Sequence, residues 1–375
     1  MQTNNSIYKL YYQWWKNIDK PIFYLISLLF AMGLFFSLVS TSLIASDKLD
    51  TNSYFFFFKH FIFICIGMFI VFFSSFISLE KLFFFSTILF FILLISLFFV
   101  PIIGIEVKGS KRWIDLFILP RFQPSEILKP FFIVIIATIL SNEKNSNAFI
   151  KYSLSFILVL IISFLLVIQP DIGQTLLILF SWSVLIFISG LNLFIIFSFS
   201  LLVIFFLSYL IIFVPRFSYV QGRILSFFDR DTGTFNFQSE KSIESIVSGG
   251  FLGKGIGEGT LKSKVPEAHT DYIISVISEE FGVITIILIL LLFLIFIYTI
   301  FKKTYFENNQ KKKLILVGCA SLILMQATIH IGVNIRLFPT TGMTLPFLSY
   351  GGSSIISISF LSGIILNLTR RRINH

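Results

Sequence analysis

The sequence predicts an all-α integral membrane protein of about ten transmembrane helices, and three observations predict it. The 375 residues are 56% hydrophobic and only 13% charged, with a mean hydropathy of +0.92, whereas a soluble domain carries roughly 25% charged residues. Apolar runs of about 20 residues, long enough to cross a hydrocarbon core of roughly 30 Å as a helix, recur along the chain. Runs such as Phe83 to Val100 also lack the every-second-residue alternation of membrane-barrel strands.

Taken in order, residues 1–21 carry Lys9, Lys16 and Lys20 with Trp14 and Trp15, the pattern of a short cytoplasmic tail lying on headgroups. The first apolar run exceeds the core of a cleaved signal peptide, so it counts as a span. Spans read 22–44, 55–78 and 82–103, the last two parted by a tight turn at Glu80 and Lys81. A polar outer loop, 104–128, precedes a fourth span at 129–140, short enough to borrow part of the QPSE segment before it. Spans at 153–168, 172–189 and 193–214 lead into a large outer loop, 215–271, between the seventh and eighth spans. The eighth span, 272–301, a basic cytoplasmic hinge at 302–313, spans at 314–337 and 347–368, and a tail at 369–375 complete one polytopic domain over residues 1–375.

An even number of spans places both termini on one side. That side also holds the 302–313 hinge and Arg370, Arg371 and Arg372, which the positive-inside tendency makes cytoplasmic. Basic residues divide nearly evenly between the sides, yet the outer ones lie among most of the acids, so the outer loops read as an anion-recognition surface. The net charge of +10 comes from residues flanking spans and does not point to nucleic acid. Cys65 and Cys319 lie inside apolar runs and imply neither a disulfide framework nor a metal site.

The stretches GSKRWIDL, FQPSEILKP, QPDIGQTLLIL, GGFLGKGIGEGT, PEAHTDYIISVISEEFG and FPTTGMTLPFLSYGGSS cover nearly the whole chain. In that order they resemble the SEDS family, the shape, elongation, division and sporulation proteins, and PEAHTD and PTTGMTLPF look more like its division members than its elongation members. The resemblance implies a peptidoglycan glycosyltransferase in the bacterial cytoplasmic membrane, at the division septum. It would polymerise lipid II, a disaccharide-pentapeptide on undecaprenyl diphosphate, at the outer face, with inversion. The implied partners are a class B penicillin-binding protein, other division proteins and membrane lipids. A lipid II flippase and an elongation-type polymerase are the alternatives.

Such a transfer needs a base for the acceptor proton and positive charge for the departing diphosphate. No carboxylate cage with metal-ligand spacing is visible, so Arg and Lys are the default for the second task, with a divalent cation, Mg or Mn, left open. Asp271 matches the family's functional aspartate in the HTD motif, and partial desolvation where loop meets membrane would raise its basicity. The plainer reading of Thr270 and Asp271 is an N-terminal cap for the eighth helix.

For the diphosphate, Arg112 is the first choice beside Lys111, since a planar guanidinium suits phosphate oxygens; snorkelling to headgroups is its plainer role. Gln123, Ser125, Glu126 and Lys129 line the cavity by resemblance, although Glu126 and Lys129 are also spaced to pair on one helix face. Asp171 is either a cavity acid or a cap for the sixth span. Lys262 precedes PEAHTD as in the family. His269 is a proton relay or a structural hydrogen-bonder, and Glu280 is a buried acid that holds a basic loop residue in place. The glycines from Gly249 to Gly259 lack the context of a nucleotide loop, but their amides suit an anion. The small residues of Ser349–Ser354 suggest close helix packing.

Overall fold

The computed structural model describes residues 3–41, 54–107, 110–115, 120–142, 148–228, 233–261, 265 and 267–370. Hydrocarbon offers backbone N–H and C=O groups no water, so apolar runs satisfy them internally as helices. The chain forms α1 (Thr3–Asn17), α2 (Lys20–Thr41), α3 (Phe55–Phe76), α4 (Leu79–Ile103), α5 (Pro124–Leu140), α6 (Ala148–Ile168) and α7 (Ile172–Ile188). It continues with α8 (Leu193–Phe213), α9 (Ser218–Phe228), α10 (Gly233–Gly249), α11 (Ile273–Tyr305), α12 (Gln310–Asn334) and α13 (Gly352–Thr369). Eight of these, α2, α3, α4, α6, α8, α11, α12 and α13, are long and apolar enough to cross a membrane. Helices α5 and α7, at 17 residues each, occupy the remaining two expected spans.

Several boundaries depart from the sequence reading. The tail is helical, and its Trp14 is buried with Nε1 donating to Ser75 Oγ at 2.9 Å. The fourth span begins at Pro124, where a proline fits because the first helical N–H needs no partner, and it takes in the whole PSE segment. The outer loop at 104–128 contains an antiparallel hairpin, β1 (Ile105–Val107) with β2 (Ser110–Trp113). The large loop at 215–271 holds α9 and α10. The 302–313 hinge shrinks to residues 306–309, because α11 and α12 run into it from both sides.

Helices α12 and α13 form the centre, each with 78% of its apolar window buried, whereas α8 at 6% is peripheral. At one end Asn367 Nδ2 donates to the carbonyls of Ser74 and Ile77, and Arg370 Nη1 to Ser75 and Phe76. These cap the carbonyls that the end of α3 leaves open. Lys303 Nζ meets Asp19 Oδ2 at 2.6 Å at this end, so the N-terminal tail, the α11–α12 turn and the start of the C-terminal tail lie together.

The eighth span is broken. Gly282 has φ 80 and ψ 172, and the glycine-rich loop fills the gap. Lys254 N donates to Glu279 O (2.9 Å) and Gly255 N to Glu280 O (3.0 Å), while Val283 N donates to Gly250 O (3.0 Å) and Ile284 N to Phe251 O (3.3 Å). The loop thereby satisfies the carbonyls that end one half-helix and the amides that begin the next. A Cβ at Gly282 would lie 2.1 Å from Phe251 O, and one at Gly253 would lie 2.2 Å from Glu280 O. The amides of Lys254 and Gly255, expected to suit an anion, are thus spent on helix carbonyls.

Candidate functional site

Asp271 is set by a tight turn. Glu267 takes a left-handed backbone, φ 55, and its carbonyl accepts from the amides of Thr270, Asp271 and Tyr272 at 3.0, 3.1 and 3.3 Å. The residue capping α11 is Tyr272, with no side-chain cap bond, so Asp271 stands just ahead of the cap position that the plainer reading gave it. Surrounding elements fix its backbone. Asn334 Nδ2 donates to Asp271 O (3.0 Å), Ser349 Oγ to Thr270 O (2.7 Å) and Tyr350 N to His269 O (3.0 Å). Ser242 of α10 ties in through Asn334 O at 3.0 Å.

Half-buried, Asp271 lines a cleft shared with Arg223, Gln238, Tyr272, Thr340, Thr341 and Gly342. Arg223 of α9 donates through Nη1 to Thr340 O (3.0 Å) and through Nη2 to Tyr219 Oη (2.6 Å), with its guanidinium 4.4 Å from the Tyr219 ring centroid. Burial pushes the Tyr272 phenol well above its ordinary pKa; the Asp271 charge adds to this and the Arg223 charge opposes it. The hydroxyl therefore stays a proton donor.

A second cluster joins the remaining expected residues. Arg112 Nη2 donates to Pro170 O (2.6 Å) and Nη1 lies 3.6 Å from Asp171 Oδ1. Asp171 Oδ2 accepts from Gln123 Nε2 at 3.2 Å, and its other oxygen caps α7 by accepting from Gln174 N at 3.4 Å. Gln174 Nε2 in turn donates to Glu126 Oε1. Lys129 Nζ contacts Glu126 Oε2 at 2.7 Å and donates to Gln326 Oε1 at 3.0 Å, and Gln326 Nε2 donates to Thr344 O at 3.0 Å. Thr344 belongs to the loop after α12 that also lines the Asp271 cleft. At the start of α7, a Cβ on Gly173 would meet Thr341 and Met343 of that loop at 3.4 and 3.0 Å. The two clusters therefore flank one loop.

The structure thus brings Arg112, Gln123, Glu126, Lys129 and Asp171 into one hydrogen-bonded set, with Ser125 buried beside them. Arg112, the expected diphosphate holder, has its guanidinium engaged with Asp171 and Pro170. Lys111 is exposed on β2, paired in register with Glu106. Lys262 lies outside the described residues. His269 packs among rings, its centroid 4.9 Å from Phe56 and 5.9 Å from Tyr350. Lys254 Nζ lies 3.4 Å from Glu279 Oε1, an oxygen that also accepts from Leu261 N at 2.9 Å, while Glu280 contributes its carbonyl to Gly255.

Sequence reasoning missed Arg223, Gln174, Gln326 and Asn334. The last three had a signal: a lone amide in an apolar run is costly to bury unless it bonds a specific partner. Arg223 had none, since a basic residue in an outer loop is ordinary. Among the described residues no group of three or more His, Cys, Asp or Glu is placed to hold a metal ion.

A family model described as "Cell cycle protein", covering FtsW, RodA and SpoVE, matches residues 19–374. The "Probable peptidoglycan glycosyltransferase FtsW" of Caulobacter vibrioides is 33% identical over 276 residues, covering 72% of this chain and 68% of that protein. Its namesake in Coxiella burnetii is 31% identical over 353 residues, covering 91% and 93%. Among solved structures, a chain of a peptidoglycan synthase complex that coordinates polymerization and crosslinking superposes with a TM-score of 0.76 at 25% identity, covering 94% of this chain and 97% of that one. The rod shape determining protein RodA of Thermus thermophilus superposes at 0.67 with 26% identity, covering 94% and 96%.

Proposed function

From the premise that this chain belongs to the cell cycle protein family of FtsW, RodA and SpoVE, we infer a peptidoglycan glycosyltransferase that polymerises lipid II during septal wall synthesis. The chain is a multi-pass membrane protein. In the proposed orientation both termini are cytoplasmic and the Asp271 cleft opens outward. The enzyme would work beside a cross-linking partner, a class B penicillin-binding protein, within the division machinery.

Asp271 is the proposed base. It takes the proton of the acceptor sugar hydroxyl as that oxygen bonds the anomeric carbon of the donor, and the lipid diphosphate leaves from the opposite face. Arginine and lysine side chains are the default source of positive charge for the departing diphosphate, with a divalent cation, Mg or Mn, left open. The observation that carries this reading is the placement of Asp271: half-buried in a cleft with a guanidinium, its carbonyl held by Asn334 of α12 and the carbonyl of Thr270 before it by Ser349 of the loop before α13. Rigid placement gives a base its reach. Arg112, Gln123, Glu126, Lys129 and Asp171 support the reading as the frame for the opposite wall of the cavity. The alternative elongation role differs in partner and site of action, not in this chemistry.

The test is purified protein in detergent or proteoliposomes, with and without the penicillin-binding partner, given lipid II and scored for glycan strands. Asp271→Asn is expected to keep its fold and partner binding and to lose strand synthesis by about two to four orders of magnitude, the usual contribution of a positioned base. Normal synthesis by that variant would refute the assignment. Lipid II translocation by the wild type without strand formation would instead favour a flippase.

A further inference from the structure

Helix α12 carries Gln326, His330 and Asn334 four residues apart, so the three form one buried stripe along the helix. Each meets a backbone carbonyl at or near the Asp271 site. Gln326 Nε2 donates to Thr344 O at 3.0 Å, His330 Nδ1 lies 2.7 Å from Met343 O, and Asn334 Nδ2 donates to Asp271 O at 3.0 Å. A carbonyl can only accept, so Nδ1 carries the imidazole proton. The chain after α12 therefore runs back along the helix until Thr344 stands level with Gln326, about 12 Å from the helix end at about 1.5 Å per residue. Non-helical backbone at such depth needs protein donors for its carbonyls, which is one reason for the stripe. The residue before Met343 supplies another. Gly342 has φ 73, and a Cβ there would lie 3.6 Å from Asp271 Oδ2, so the stretch that His330 holds passes directly beside the carboxylate.

We propose that His330 is a positioning residue for the Asp271 base. By holding Met343 O it sets where Gly342 stands against the carboxylate, while Asn334, one turn along the same helix, sets the Asp271 main chain. The proposal rests on the polymerase reading above and adds what fixes the base of that reading. Base and wall are both referred to α12, a helix at the centre of the bundle, so their spacing follows from one helical turn rather than from the packing of separate loops. A general base works only within hydrogen-bond reach of the proton it takes, and a displacement of about 1 Å costs on the order of a hundredfold in rate. One hydrogen bond to a loop carbonyl is therefore enough to be read in kcat. His330 acts through the loop, and the proton goes to Asp271.

The test varies reach at one position. His330→Asn puts an amide N–H one bond beyond Cγ, where Nδ1 stands, His330→Gln puts the same group one bond further out, and His330→Leu removes the donor. Strand synthesis from lipid II by the full chain with its penicillin-binding partner gives kcat and KM, and hydrogen exchange reads the loop after α12 without turnover. His330→Leu and His330→Gln are expected to lose roughly ten- to a hundredfold in kcat with KM within about twofold of wild type, and His330→Asn to stay within about threefold in both. Exchange in the loop should quicken in His330→Leu and stay slow in His330→Asn. A residue that only supported the fold would lower resistance to unfolding and leave kcat per folded molecule where it is. Wild-type kcat in folded His330→Leu, equal kcat in the Asn and Gln variants, or failure of both His330→Gln and His330→Leu to fold would overturn the proposal; if one of those two fails, the other decides. Absence of strands from the wild type would instead sink the polymerase reading, and the exchange comparison would still say whether His330 holds the loop.

Discussion

Removing the cation from the Glu126–Lys129 pair tests whether that pair is scaffold or substrate contact. Lys129 has 1% of its side chain exposed and Glu126 has 7%, with Nζ 2.7 Å from the carboxylate. In Lys129→Met the Glu126 carboxylate stays buried with Gln174 as its side-chain donor, and Gln326 Oε1 loses its lysine donor. Breaking one side of a buried pair costs about 3–5 kcal/mol, and an orphaned amide oxygen adds about 1–3 kcal/mol, with the two overlapping because they share one nitrogen. We expect a loss of roughly 4 kcal/mol, read by reversible SDS-titration unfolding in mixed micelles. Glu126→Gln/Lys129→Met removes both charges while keeping an acceptor for Gln174, so it should regain most of that loss. If the pair is scaffold, the double variant also recovers kcat with KM for lipid II unchanged. A Lys129→Met protein within about 0.5 kcal/mol of wild type, or a double variant no more stable than the single, would refute the reasoning.

The plug in the eighth span predicts a graded glycine series. Gly253→Ala and Gly257→Ala share the left-handed backbone term, with φ of 81 and 85, worth about 1–2 kcal/mol each. Only Gly253 places its new Cβ against a helix carbonyl, whereas Gly257 faces open space. Unfolding should therefore show Gly253→Ala to be the more damaging, and equal losses would count against the plug. For pH, the raised Tyr272 pKa means that the stability lent by the neutral phenol is present below the ordinary tyrosine value of about 10 and is lost as pH rises beyond it. Tyr272→Phe should accordingly flatten the fall in stability that the wild type shows as pH rises above about 10, read by unfolding on either side of that value; an equally steep fall in the variant would count against it.

The spans were legible because the bilayer dictates their length and composition, and apart from the break at Gly282 only their ends moved. Glu126 looked too polar for a span, which placed the start of α5 late, at Lys129; paired with Lys129, it sits inside the helix. The small sheet and helices of the outer loops carry no comparable signal, since their apolar faces are short and interrupted. Asp271 was legible from its motif, but its position ahead of the α11 cap depends on the left-handed turn at Glu267, which periodicity cannot reveal. Arg223 was invisible because its meaning comes from Thr340, more than a hundred residues away in sequence.

The break at Gly282 explains why the glycine-rich loop and the acid motif travel together in the sequence. It separates Ile273–Phe281 from the long span that follows, leaving a short helix whose N-terminal end lies beside the Asp271 cleft. That end carries the positive pole of the helix dipole, which favours a carboxylate and an arriving anion alike. Its other end would expose carbonyls in an apolar layer, where each unsatisfied group costs several kcal/mol. Lys254 and Gly255 donate their amides to two of them, the carbonyls of Glu279 and Glu280. On this account the loop acts as a plug. It makes a helix end tolerable at membrane depth, and so lets the Asp271 carboxylate be set by the outer loops rather than by the span beneath it.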